Sequence, residues 1–146
     1  MKARTRTVVG AALAAAVSCG AALASEKAYH HDVQGRIELA RTQLEARGWR
    51  MEQVFTGTLP AGQAGWARMD VVPGRTYRVI GRCDHDCRGI DLYLNRDEQP
   101  IEIDADHDKL PAVDFDARYT GNFTLTTRMT ACAAPACRYG LAVFSR

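Results

Sequence analysis

From Gly48 to the C terminus, apolar residues recur at every second position, and that period narrows the choice of fold more than any other feature. Tyr77, Val79, Gly81 and Cys83 alternate with Arg78, Ile80 and Arg82. Ile90, Leu92 and Leu94 alternate with Asp91, Tyr93 and Asn95, and Phe123, Leu125, Thr127 and Met129 alternate with Thr124, Thr126 and Arg128. Ile101 and Ile103 flank Glu102, while Val113, Phe115 and Ala117 flank Asp114 and Asp116. Side chains of a strand point alternately to its two faces, so each run reads as a strand with one buried face. Met51–Leu59, Trp66–Val71 and Tyr139–Phe144 read as further strands. Turn residues separate the runs at Pro60-Ala61-Gly62, Pro73-Gly74, Asp97 to Pro100 and Thr120-Gly121. About eight short strands joined by short turns make an all-β domain over residues 50–146, a sandwich or small barrel, with the antiparallel β-sandwich favoured.

Before Gly48 the period is different. Val33, Ile37, Ala40 and Leu44 form one helical stripe, which predicts a helix over Asp32–Arg47 with Asp32 as its cap and Gly48 just past its end. Residues 25–31 carry no pattern and read as a loose leader, so 25–49 is leader plus amphipathic helix. The first 24 residues have the layout of a secretory signal. Lys2, Arg4 and Arg6 precede an uncharged apolar run from Val8 to Ala24 that ends in Ala22-Leu23-Ala24. Cleavage after Ala24 leaves 122 residues with a net charge of −1, so the basicity of the whole chain belongs to the signal. That removes the charge argument for nucleic acid, and the mature chain has no apolar stretch long enough to span a membrane. Cys19 offers a second reading, a lipoprotein signal, but the later Ala-x-Ala site fits the whole run and favours export to the periplasm or beyond.

Export suits the cysteines. Cys83, Cys87, Cys132 and Cys137 form two close spacings in a small domain and read as two disulfides whose connectivity is open, local pairs being one option. A four-Cys zinc site is the weaker alternative. If successive strands alternate in direction, the loops after Cys83, Ile103 and Met129 share one end. Asp84, His85, Asp86, Asp104, Asp106, His107 and Asp108 then share one rim, and residues 84–116 carry a net charge of −8 against +3 for 25–83 and +4 for 117–146.

Tyr77-Arg-Val-Ile-Gly, Asp91-Leu-Tyr-Leu and Gly121-Asn-Phe-Thr-Leu, in this order, resemble the bacterial pre-peptidase C-terminal domain over roughly residues 55–146. The resemblance implies a jelly-roll sandwich in a secreted protein. Gly81-Arg-Cys83-Asp-His-Asp-Cys87 and the late Cys132–Gly140 segment are similar to small stand-alone secreted bacterial proteins of unassigned function. No catalytic residue comes with either resemblance.

The rim suggests calcium, because a hard cation wants six to eight oxygens and Asp84, Asp86, Asp104, Asp106 and Asp108 supply carboxylates. An EF-hand starting at Asp104 fails, since its sixth position is Lys109 and its twelfth is Phe115. The competing reading is a solvated acidic surface. Transition-metal binding through His85 and His107 ranks below calcium. No nucleophile or metalloprotease motif is present, and the remaining enzyme reading is a hydrolase of envelope polymers using Asp91, Glu102, Asp114 or Asp116, all expected on the wet face. Trp49, Trp66, Tyr93 and Tyr119 are candidates for a carbohydrate- or protein-contact surface, with Trp66 and Tyr93 at outward positions. The favoured function is an exported, non-catalytic binding or accessory module of the cell envelope, its partner an envelope protein or polysaccharide. A purely structural envelope protein is the third alternative.

Overall fold

The computed structural model describes the backbone of residues 19–146 and the side chains from Asp32 onward. One helix, α1 (Cys19–Glu45), precedes eight strands: β1 (Arg50–Leu59), β2 (Ala64–Met69), β3 (Thr76–Cys83), β4 (Cys87–Arg96), β5 (Gln99–Asp104), β6 (Ala112–Asp116), β7 (Phe123–Cys132) and β8 (Cys137–Ser145). They form two four-stranded antiparallel sheets, ordered β1-β8-β3-β6 and β2-β7-β4-β5. Only β4 and β5 are consecutive strands of one sheet; every other connection crosses between the two layers. The protein is thus an antiparallel β-sandwich with one preceding helix.

Alternation places Tyr77, Val79, Ile90, Leu92, Leu94, Leu125, Met129, Leu141 and Val143 in one core between the sheets. Tyr139 lies in that core because Gly57 and Gly65 leave room for its ring; a Cβ at either position would come within 2.7 Å of it. A second, smaller core forms outside the first sheet. There Val33, Ile37, Ala40 and Leu44 of α1 meet Ile80, Ala142, Phe144 and Trp49. Trp49 is therefore buried, with the Arg146 guanidinium 4.4 Å from its ring centroid, and is no surface aromatic.

Three local expectations change. The described helix already runs through residues 25–31, so Asp32 caps nothing; it sits inside α1 and pairs with Arg36 one turn on. The C-terminal end is as read. Gly48 has φ +84°, its N–H donates to Glu45 O and the Trp49 N–H to Leu44 O, the paired bonds of a Schellman stop. Strand β2 lies two residues earlier than expected because the Gln53 amide clasps both the N–H and the C=O of Asp70, which closes the strand at Met69. In β5, Ile101 and Ile103 face outward and are exposed. This edge strand pairs only with β4, in a register that sets Ile103 beside Tyr93 and Glu102 beside the inward Leu94. The basic start and most of the apolar run that read as an export signal lie outside the described residues. Among the described residues no helix is long and apolar enough to cross a membrane.

Candidate functional site

The acidic rim exists as a place. The loops 84–86, 105–111 and 133–136 meet at one end, joined by Ala133 N–H to Asp86 O (2.8 Å), Ile90 N–H to Asp108 O (2.8 Å) and Asp84 N–H to Arg138 O (3.0 Å). Both disulfides are local, Cys83–Cys87 and Cys132–Cys137, and strand register sets Cys87 opposite Cys132. Such bonds form and persist in oxidising compartments.

Three of the five rim carboxylates, Asp84, Asp104 and Asp108, are turned to the backbone. Asp84 is only 2% exposed; its Oδ2 accepts from Arg138 N–H (2.7 Å) and its Oδ1 from Cys87 N–H (3.2 Å). Asp104 Oδ2 accepts from Ala112 N–H (2.8 Å) and Asp108 Oδ1 from Leu110 N–H (2.7 Å). His85 lies beside Asp86, while His107 points elsewhere, to Asp91. Among the described residues, no three His, Cys, Asp or Glu side chains converge as a metal site would require.

The four carboxylates of the hydrolase reading do not share one face. Asp114 is held by Arg78 through two hydrogen bonds, which keep the guanidinium charged beyond its ordinary range, and Asp116 accepts from Thr76. Together with Glu102 they line a cleft of about 360 Å³ that also holds Tyr119, 67% exposed with Arg96 over its ring. Asp91, on the sheet opposite Asp114 and Asp116 and on β4 beside the strand of Glu102, is, contrary to expectation, buried: it is 1% exposed beneath loop 105–111, with His107 Nδ1 2.8 Å from Oδ1.

The outer face of the second sheet is different. Because directly paired residues share a face, the register lays out three rows across it. Arg68, Thr124 and Asn95 form the first. Trp66, Thr126, Tyr93 and Ile103 form the second, and Ala64, Arg128 and Asp91 the third. The helix covers the other sheet, so nothing of the described chain lies over Trp66, which is 77% exposed. Two open depressions, about 500 and 380 Å³, flank the indole. Arg68, Asn95, Glu98, Asn122, Thr124 and Thr126 line them between them. Asn95 donates to Thr126 Oγ1 (3.1 Å) and Arg68 to Asn122 Oδ1 (3.1 Å), which fixes polar groups around the ring. Tyr93 is half-buried; burial, then the nearby Asp91 charge, raises its hydroxyl pKa and keeps it a donor. Sequence parity found Trp66 and Tyr93. It missed the polar residues around them, whose only signal is the register with β7, a pairing between strands far apart in sequence.

No protein-family model matches the chain, and no curated protein matches it.

Proposed function

We propose that this protein is an exported, non-catalytic binding module of the cell envelope, and that it holds a hydroxyl-rich polysaccharide on the outer face of the β2-β7-β4-β5 sheet. The observation that carries the reading is Trp66, a large flat apolar ring left in water on the edge strand β2, at the end of a row that continues through the hydroxyls of Thr126 and Tyr93. Sugar rings present an apolar face to stack on such a ring and hydroxyls to satisfy the donors and acceptors around it. The charges near the ring balance, Arg68 and Arg128 against Asp97 and Glu98, which suits an uncharged partner better than an acidic one. Export is supported by the amino-terminal signal pattern and by the two disulfides. The strand orders β1-β8-β3-β6 and β2-β7-β4-β5 support a jelly-roll reading of the sandwich, the fold that the pre-peptidase C-terminal resemblance implies. Calcium has no part in this reading, since Asp84, Asp104 and Asp108 are engaged by backbone N–H groups.

Screening the oxidised protein on an array of uncharged oligosaccharides tests the proposal. Retention of at least one glycan by the wild type and its loss in Trp66→Ala, with unchanged melting, is the expected result. No retention, or retention by Trp66→Ala, overturns it, and a protein partner captured through the same face would transfer the site to the envelope-protein reading.

A further inference from the structure

The third row of the open face ends in an arrangement that packing alone does not explain. Asp91 belongs to the outer face of β4, opposite Arg128, yet loop 105–111 folds over it and removes it from water. A buried carboxylate costs several kcal/mol unless hydrogen bonds satisfy it. Here Nδ1 of His107 approaches Oδ1 to 2.8 Å, and the Tyr93 hydroxyl lies 3.4 Å from Oδ2. The loop reaches this position because Gly89 carries no side chain; a Cβ there would lie 2.5 Å from His107 O. The loop is further held by Ile90 N–H donating to Asp108 O. His107 itself has φ +60°, a left-handed conformation that a non-glycine residue keeps only where the surroundings enforce it. The ring it holds is not packed away, for the His107 side chain is 66% exposed. One nitrogen is fixed and the rest faces solvent.

A carboxylate oxygen accepts, so Nδ1 is the ring nitrogen placed to donate to Asp91, and Nε2 is the one left to solvent, an acceptor in the imidazole that carries its proton on Nδ1. We infer that His107, positioned by Asp91, is a second contact point of the Trp66 face, its Nε2 accepting a hydrogen bond from a hydroxyl of the same uncharged glycan. This rests on the reading proposed above. Trp66 and Asp91 are two strands apart across the sheet and one row apart along it, about 12 Å from strand spacing and rise. A chain that touches both is therefore longer than a single sugar ring, and the ligand is an oligosaccharide lying diagonally across β7, between Thr126 and Arg128.

The test is calorimetric titration with a length series of whichever glycan the array retains, alongside nitrogen-15 shifts of the His107 ring at mildly alkaline pH. His107→Lys keeps a donor for Asp91 but has no acceptor, whereas His107→Gln keeps both, so folding and recognition separate. Affinity of the wild type should rise from the shortest oligomer to those that reach His107. His107→Lys should remove that rise, a loss of roughly three- to tenfold for one neutral hydrogen bond. His107→Gln should restore most of it, and the free ring should carry its proton on Nδ1. Equal affinities for His107→Lys and wild type at every length, or a proton on Nε2, would overturn the inference while leaving Trp66 in place. Wild-type protein that retains no uncharged glycan, or a Trp66→Ala variant that binds as wild type does, would instead bring down the underlying reading.

Discussion

Replacing Asp84 by Asn separates a structural carboxylate from a cation ligand. Both oxygens of Asp84 accept backbone N–H groups, from Cys87 and Arg138, and so tie the β3–β4 turn to the start of β8 beside both disulfides. Hydrogen bonds to a charged acceptor contribute about 1.5–3 kcal/mol each, and a buried donor left unmade costs about 1–3 kcal/mol. Asparagine has the shape of the carboxylate but one acceptor oxygen, so one N–H would face an NH₂ group and lose its partner. The expected destabilisation is about 3 kcal/mol, which for a domain of this size lowers the melting temperature by about 12 °C. The assay is a calorimetric melt of the oxidised protein in EDTA, repeated with calcium. The drop should be the same in both, because the carboxylate serves the backbone. A variant that melts with the wild type in EDTA, and differs only when calcium is present, would refute this and make Asp84 a cation ligand.

Three further outcomes follow from other contacts. Leu44→Ala removes a buried side chain between α1 and the Phe144 face and should cost about 3 kcal/mol in a denaturant titration; unchanged stability would mean that the helix does not dock. Glu52 accepts from Ser145, Arg50 and Arg75, and these bonds, the Ser145 hydroxyl first, hold its pKa below the ordinary glutamate range. A depressed carboxyl stabilises the fold above its unfolded pKa and loses that contribution as pH falls through the folded value, so melts across the acid range should fall less steeply for Glu52→Gln than for wild type; parallel slopes would remove Glu52 from the linkage. Non-reducing peptide mapping should return the 83–87 and 132–137 pairs, and opening either short loop by paired Ser substitution should cost about 2 kcal/mol in the same denaturant assay.

Strand content and the meeting of the odd-numbered loops were legible because a half-buried strand writes its two faces directly into the sequence. The Tyr77, Ile90 and Phe123 runs show the period without ambiguity, and parity then places Cys83, Asp104 and Cys132 at one end. Edge strands were harder. Ile101 and Ile103 are apolar and exposed, because β5 overhangs a sheet with no second layer to receive them. The helix start was misread since the 25–31 segment carries no apolar stripe, while the stripe itself gave the packing residues correctly. Least legible was the Asp91–His107 contact. Alternation puts Asp91 outward, which it is, but no local pattern announces that a loop from the other side of β5 will fold over it. Gly89 supplied the space, and a glycine in a strand is a clue only once the neighbouring loop is known.

Backbone amide shifts of the labelled protein, recorded while the glycan retained by the array is added, test the central claim most directly. The account predicts that the Trp66 indole N–H moves furthest, with Thr124, Thr126 and Asn95 following in the same fast or slow regime, while the resonances of α1 and of Asp114 stay in place. Shifts centred on the helix face or on the cleft of Glu102, Asp114 and Asp116, with Trp66 unmoved, would contradict it.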